Sequence, residues 1–281
     1  MTPTIKRYLI IVSIIFVLAF FYHREVRVLN VNAIREGLKF YDDKSLDNEL
    51  RVDDAFLLQL IQGLIKDRYA TLNVERTIPN FAPDPLSRLL EREKPVLGLS
   101  FFRRPNAYEP LPHVNNNSYL IDRVFEQYLR DPYDDILWKA LYCDLSGYDE
   151  VDFATLRSIR SMKGDYADTH FLLSLLLLKE NKCFDDKRLA VEIQATVQPI
   201  ANAAKEDTAF SDLYAERIVF LYWAGYGNVI KNDWIEIIRK ARTADPGWRD
   251  SGVRISNAHT TGLALLALIY FEEGKPKQSF W

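Results

Sequence analysis

The sequence predicts an all-α protein, in which an N-terminal transmembrane helix precedes an array of antiparallel helical hairpins, either toroid-like or a solenoid. Two observations point to helix. Glycine and proline are few for 281 residues, at 11 and 12, and long segments repeat their apolar residues at intervals of three and four. The composition, with 48% hydrophobic and 13% aromatic residues, is sufficient for a substantial core. We therefore expect a globular chain rather than a disordered one.

Residues 1–25 have the pattern of a membrane anchor or targeting segment. Lys6 and Arg7 precede residues 8–22, which carry no charged side chain. A helix of that length extends about 22 Å, less than a hydrocarbon core of about 30 Å, so a cleaved signal peptide also fits by length. Cleavage requires small residues after the apolar run, whereas aromatic residues follow Ala19. We therefore favour an uncleaved anchor.

The charges around this segment predict its orientation. Lys6 and Arg7 on the N-terminal side indicate a cytoplasmic N-terminus, although Arg24 and Arg27 on the other side act against this bias. The soluble part is then expected to be extracytoplasmic, either periplasmic or extracellular. Beyond residue 22 acidic residues outnumber basic ones, and no basic stripe is present. The membrane is therefore an expected partner, and nucleic acid is not.

Two segments separate the anchor from the main domain. Residues 26–71 are predicted to be an N-terminal helical segment, with a weakly patterned helix over residues 30–44 and a clearer one that starts at Asp53. Residues 72–118 contain seven prolines, which interrupt any regular helix. A connection of this length is usually a functional loop or a strap across a groove.

Residues 119–281 are predicted to be a helical-hairpin domain. Short turns with Gly, Pro, Asp or Asn separate eight apolar-periodic segments, at residues 119–129, 134–143, 150–162, 166–180, 186–205, 209–224, 233–243 and 258–273. Connections of a few residues join antiparallel neighbours. Pro199 is expected to kink the fifth helix. Residues 165–178 are apolar on every face after their polar start, which predicts a central helix buried by its neighbours.

Two families of helical-hairpin proteins resemble parts of this domain. The stretch GWRDSGVRISNAHTTGLALLAL, residues 247–268, resembles the inner helices of α/α-toroid proteins, where a Gly/Trp loop leads to a polar helix start. KARTADP, residues 240–246, and LIYFEEGKP, residues 268–276, resemble helix ends of tetratricopeptide repeats. Trp234 stands where that pattern has a small residue, and the interval from Gly225 to Pro246 is about four residues too long for the 34-residue period. Both resemblances imply helical hairpins, and neither implies a catalytic residue.

The two cysteines, Cys143 and Cys183, each follow a predicted helix of the same direction. Both are then expected at the same end of the array. A disulfide is plausible in an oxidising compartment, and two unpaired cysteines near helix ends are the alternative.

Polar residues at two helix starts are the candidate ligand-binding residues. Asp165, Asp168 and His170 open the fourth helix, whereas Asn257 and His259 open the eighth, after Trp248. Alternate helices of hairpins start on the same side, so in a curved array these starts converge on the concave face. There an anion could bind, or a carboxylate and an imidazole could act as acid and base. The alternative is structural: caps, hydrogen-bonded histidines and a packed tryptophan.

The common enzyme motifs are absent, and the sequence predicts neither a metal nor a cofactor. The first functional hypothesis is a membrane-anchored extracytoplasmic helical-repeat protein that binds a peptide, a protein or a glycan in its concave face. The alternative is a glycan- or peptide-processing hydrolase or lyase with a toroid-like domain, using Asp165 or Asp168 with His170 or His259. The enzyme hypothesis requires these groups within roughly 10 Å of one another.

Overall fold

The computed structural model describes residues 3–46, 147–161 and 166–274, together with positions 57, 61, 64, 137, 139, 140 and 143. Every regular element in this part of the chain is a helix, which confirms the all-α class there. The proline-rich connection at residues 72–118, the helix predicted at residues 119–129 and Asp165 lie outside the described residues.

Seven α-helices follow one another along the described chain. They are α1 (Pro3–Leu46), α2 (Glu150–Ser161), α3 (Ala167–Glu180), α4 (Asp186–Glu206), α5 (Asp212–Trp223), α6 (Asn232–Lys240) and α7 (Ala258–Glu273), with a 3₁₀ turn at Gly227–Val229. The bounds of α2, α3, α4 and α7 lie within about one residue of the predicted bounds. Helix α4 runs through Pro199 without ending there.

Side-chain caps explain several of these helix starts. Asp185 accepts a hydrogen bond from the backbone N–H of Arg188 at 2.8 Å, and Asn257 accepts one from Thr260 at 2.8 Å. Ser211 caps α5 in the same way, which is why α5 begins three residues later than its apolar pattern predicted. Each cap satisfies a backbone donor of the first turn that has no partner within the helix.

Helix α1 is one continuous helix of 44 residues, where the sequence predicted an anchor and a separate helix over residues 30–44. Its N-terminal half exposes large apolar side chains such as Ile15 and Phe16, whereas Ile34 and Tyr41 in its C-terminal half are fully buried. Within the described residues, no helix combines the length and the apolar character that membrane crossing demands. The predicted transmembrane helix therefore has no support from the described part of the chain.

The C-terminal half of α1 packs closely on α7 and on the connection before it. A Cβ atom at Gly37 would lie 2.7 Å from side-chain atoms of both Leu265 and Trp248. A Cβ atom at Gly262 of α7 would lie 2.5 Å from the hydroxyl of Tyr41. Both glycines are therefore needed for the close approach of the two helices, because any larger residue would force them apart.

The centre of the core is formed by α5 and α7. Every residue of α5 except Arg217 is buried, and α7 is buried from Ala258 to Tyr270 except at His259. Helix α3, which the sequence predicted as the central element, buries nine of its 14 residues. Three helices of this protein are thus apolar around most of their circumference, as expected of elements covered by neighbours.

A disulfide joins Cys143 to Cys183, with a Cα–Cα distance of 6.0 Å. Cys183 lies in the connection between α3 and α4. Of the two arrangements that the sequence left open, the structure contains the bonded one. The bond links the chain that precedes α2 to the C-terminal end of α3.

Candidate functional site

The N-terminal ends of three alternate helices meet at one place. Asp212 is the first residue of α5, and its Oδ1 accepts a hydrogen bond from the hydroxyl of Thr260 in α7 at 2.6 Å. Its Oδ2 lies 3.4 Å from the hydroxyl of Tyr166, the residue that precedes α3. Helices α3, α5 and α7 therefore begin side by side, with α4 and α6 as the intervening elements of the chain.

Two histidines and two carboxyl groups come together at these helix starts, and we call them the histidine–carboxylate cluster: His170, Asp212, Glu216 and His259. His170 Nε2 lies 3.4 Å from Glu216 Oε1. His259 Nε2 lies 3.8 Å from Asp212 Oδ2. Asp212 and Glu216 are four residues apart and so share one face of α5. Each carboxyl group thus faces an imidazole from a neighbouring helix.

The carboxyl groups lie beneath the imidazoles. The side chains of Asp212 and Glu216 are 12% and 6% exposed, whereas those of His170 and His259 are 26% and 39% exposed. Burial, followed by the negative charge of Asp212, raises the pKa of Glu216 from 4.5 to about 8. Glu216 is therefore mainly protonated at pH 7 and can donate a hydrogen bond as well as accept one.

One oxygen of the cluster is buried without a hydrogen-bond partner. Oε2 of Glu216 makes no hydrogen bond to any described residue, although the residue is only 4% exposed. Asp212, by contrast, accepts hydrogen bonds on both oxygens, as described above. Buried polar atoms are nearly always paired, so the orphaned oxygen requires an explanation such as a chemical role or a ligand.

A second layer of polar groups supports the start of α5. Asp250, in the connection before α7, accepts hydrogen bonds from the backbone N–H of Asp212 at 2.8 Å and of Ser251 at 2.7 Å. Burial and the charges of Asp212, Glu216 and Asp250 raise the pKa of the Tyr166 phenol. Three carboxyl groups therefore surround Tyr166, whose ring centroid lies 5.6 Å from that of His170.

The structure brings together only some of the residues singled out in the sequence. His170 and His259, from the starts of α3 and α7, both belong to the cluster. Asp168 instead forms an ion pair with Arg160 of α2 at 2.8 Å, and its side chain is 44% exposed. Asp165 lies outside the described residues.

The remaining two candidates have structural contacts. Trp248 is fully buried, and its indole Nε1–H donates to the carbonyl of Ile238 at 2.6 Å. Asn257 caps α7 with its side chain. Both residues therefore have the structural roles that the sequence left open as the alternative. Trp248 packs in the core, and Asn257 accepts a hydrogen bond from a backbone N–H in the first turn of α7.

Sequence reasoning did not single out Asp212, Glu216 or Tyr166. A signal for the first two was present, because they lie four residues apart in DLYAERIVFLYW, where apolar residues occupy most other positions. A carboxyl group at the centre of an otherwise buried helix is rare unless it is paired. The partner helices could not be identified from that spacing alone, since the neighbours of α5 depend on tertiary packing.

Neither metal coordination nor similarity to known proteins assigns a role to the cluster. Within the residues that the structure describes, no group of three His, Cys, Asp or Glu side chains is arranged to hold a metal ion. Comparison of the chain with protein-family models, with curated proteins and with solved structures finds no match. Functional inference therefore depends on the geometry of the cluster itself.

Proposed function

We propose that this protein is a membrane-anchored extracytoplasmic binding protein, which takes a peptide, a protein or a glycan at the histidine–carboxylate cluster. The observation that carries the proposal is Glu216, a buried carboxyl group with one oxygen that has no partner, beneath two partly exposed imidazoles. Ligand sites typically combine an apolar surround with a few convergent polar groups. Here those polar groups come from three different helices.

The proposed binding surface lies where the alternate helices begin. The common starting point of α3, α5 and α7 supports an array of antiparallel hairpins, toroid-like or solenoid, in which α4 and α6 return the chain. In such an array the cluster belongs to one end, which we propose to be the concave face. Helix starts offer backbone N–H groups there in addition to the side chains.

Two features support the membrane and compartment part of the proposal. Ile11, Ile15, Phe16 and Phe20 are each more than half exposed on α1, in the stretch that lacks charge. Exposed apolar patches of this kind mark contacts with lipid or with another protein. The disulfide between Cys143 and Cys183 is of the kind that persists in oxidising compartments outside the cytoplasm.

Fractionation of cells that express the full chain tests this part. We expect the protein in the membrane fraction after alkaline carbonate washing, with a C-terminal tag accessible to external protease once any outer barrier is opened. Phe16→Asp combined with Phe20→Asp should release it. Val191→Asp, at an exposed apolar position of α4, is the matched control and should not. Wild-type protein in the soluble fraction, or a tag that only cytoplasmic protease reaches, would contradict the proposal.

Binding at the cluster is tested by the histidine ring signals of the full chain in detergent micelles. Neutral oligosaccharides, basic peptides and acidic peptides are added in turn while the NMR signals of His170 and His259 are followed. We expect one class of probe to shift both signals and to saturate. His170→Ala and His259→Ala should each weaken that binding about 5- to 30-fold, as loss of one hydrogen-bonding group of 1–2 kcal/mol would. If no class shifts either signal, the binding proposal fails.

A second candidate function is that of a glycan- or peptide-processing hydrolase or lyase. The observation that favours it is the pKa of Glu216, about 8, which keeps a carboxylic acid protonated near pH 7 beside an imidazole. Because Asp168 is engaged by Arg160, the carboxyl groups in this version are Asp212 and Glu216. Loss of turnover by at least about 100-fold in Glu216→Gln with retained binding would favour the enzyme. Binding without turnover of any bound probe would favour the binding protein.

A further inference from the structure

Groups of both signs face Glu216, and the arginine among them is already paired with another carboxylate. The titratable and charged groups that face it are Tyr166 and His170 from the start of α3, Asp212 and Arg217 from α5, His259 from α7, and Asp250 through its contact with the start of α5. Arg217, the only strong base among them, forms an ion pair with Asp207. Within the described residues, neither carboxyl group of the cluster pairs with a lysine or an arginine.

We propose that the group recognised by the histidine–carboxylate cluster is a primary ammonium group, as on a lysine side chain of a peptide or protein ligand. This inference rests on the proposed binding function and narrows its ligand class. An ammonium group carries three N–H donors and no acceptor. Glu216 and Asp212 present acceptor oxygens one helical turn apart on the same face of α5, and Oε2 of Glu216 has no donor of its own.

Other ligand classes fit the cluster less well. An anionic group would meet the negative charges of Asp212 and Asp250, and the arginine that faces Glu216, Arg217, is already paired with Asp207. A neutral hydroxyl group could hydrogen-bond to Oε2 of Glu216 but would add no positive charge beside Asp212. An ammonium group satisfies the orphaned oxygen and compensates the charge together, and a charge-assisted hydrogen bond is about twice as strong as a neutral one.

Binding of a cation at this position has a measurable consequence for protons. Glu216 is mainly protonated at pH 7, because burial and Asp212 raise its pKa to about 8. A positive charge placed against the carboxyl group favours its ionised form and lowers that pKa. The ammonium ligand should therefore displace the proton of Glu216, so that binding at pH 7 releases up to about one proton per ligand.

Isothermal titration calorimetry of the full chain in detergent micelles tests both points. The probe is a Gly-Lys-Gly peptide with blocked ends, and its matched control carries Nε-acetyl-lysine. Acetylation should weaken binding at least about tenfold, the equivalent of one charge-assisted hydrogen bond. Repeating the titration at pH 7 in buffers of different ionisation enthalpy counts the released protons. Glu216→Gln should abolish that release, whereas Glu236→Gln, at an exposed ion pair with Lys240 on α6, should not change it.

Each outcome of this experiment is decisive. Equal affinity for the lysine and acetyl-lysine peptides overturns the ammonium inference, and this comparison needs only the wild-type protein, so it stands even if Glu216→Gln does not fold. Proton release that persists in a folded Glu216→Gln variant also overturns it. If acidic peptides or neutral oligosaccharides shift the signals of His170 and His259 while the lysine peptide does not, the ammonium inference fails but the binding site stands. If no probe binds, both fail.

Discussion

The two ends of α5 differ in whether their buried polar groups have hydrogen-bond partners. At the C-terminal end the indole N–H of Trp223 donates to the hydroxyl of Tyr270 at 3.0 Å, and the rings of Tyr222 and Tyr270 lie 5.6 Å apart. At the N-terminal end Glu216 is just as buried but leaves one oxygen without a partner. One helix, packed on nearly every side, thus has a buried indole N–H with a partner at one end and a buried carboxyl oxygen without one at the other. Such local departures from consistent packing mark functional positions.

This difference has an energetic basis. A buried polar atom without a partner costs about 1–3 kcal/mol, and the surrounding structure must compensate for that cost. The aromatic end of α5 contributes large buried apolar area instead, and the indole N–H of Trp223 there is paired. Substitutions at the aromatic end should therefore change the free energy of unfolding at every pH, whereas substitutions at the cluster should change its dependence on pH and the binding of ligand.

The largest expected effect is at the aromatic end. Trp223→Ala should lower the free energy of unfolding by about 3–5 kcal/mol, because it leaves a large cavity beside Tyr270. Trp223→Phe retains most of the apolar volume and should cost less than half as much. Urea unfolding of the full chain in detergent micelles measures both. A loss below about 1 kcal/mol in Trp223→Ala would mean that the two ends of α5 do not differ in the way proposed here.

The disulfide between Cys143 and Cys183 is expected to make the next largest contribution to the free energy of unfolding, and it lies away from the cluster. Helix α3 is 14 residues long, about 21 Å, and Cys183 lies just beyond its C-terminal end, so the disulfide is far from the helix starts. Replacing both Cys143 and Cys183 by serine opens a loop with a sequence separation of 40 residues, which should cost about 2–4 kcal/mol. The signals of His170 and His259 should keep their positions below the unfolding midpoint. Movement of those signals in folded protein would show that the cluster depends on the far end of α3.

The helices were predictable where local chemistry specifies them. The Asp185 and Asn257 caps and the apolar periodicity of α4 and α7 place those helices to within about one residue. The local pattern did not predict that α1 is one continuous helix. Its buried C-terminal half packs against α7 at Gly37, and this tertiary contact cannot be deduced from the spacing of apolar residues. The sequence also ranked α3 as the central helix, since leucine content does not reveal which of three apolar helices the others surround.

The candidate site was predictable in part for a related reason. The alternation of hairpins placed the starts of the helices that carry His170 and His259 at one end, and in the structure both imidazoles face α5. Sequence proximity predicts Asp165 and Asp168 as the carboxyl partners of these imidazoles. The observed partners, Asp212 and Glu216, lie on the helix between, and long-range packing rather than sequence proximity selects them.

Glu216, at the N-terminal end of α5, should make the free energy of unfolding depend on pH. The folded-state pKa of Glu216, about 8, lies above its ordinary value of 4.5, so the folded protein holds a proton that the unfolded chain releases. Its contribution to stability is then complete below pH 4.5 and declines as the pH rises towards 8. Relative to Glu216→Gln, the wild type should lose roughly 2 kcal/mol between pH 5 and pH 7. Parallel curves for the two proteins would place Glu216 in an ordinary solvated environment.

The smallest expected effect on stability comes from helix caps, and a comparison of two caps tests whether Asn257 also positions His259. Asn257→Ala and Asp185→Ala should each cost about 1 kcal/mol, because each removes one acceptor for a first-turn N–H group. Only Asn257→Ala should also shift the ring signal of His259, since that residue lies in the turn which the cap holds against α5. Asn257→Ser keeps an acceptor and should restore both properties. An unchanged His259 signal in Asn257→Ala would mean that Asp212, rather than the cap, positions the imidazole.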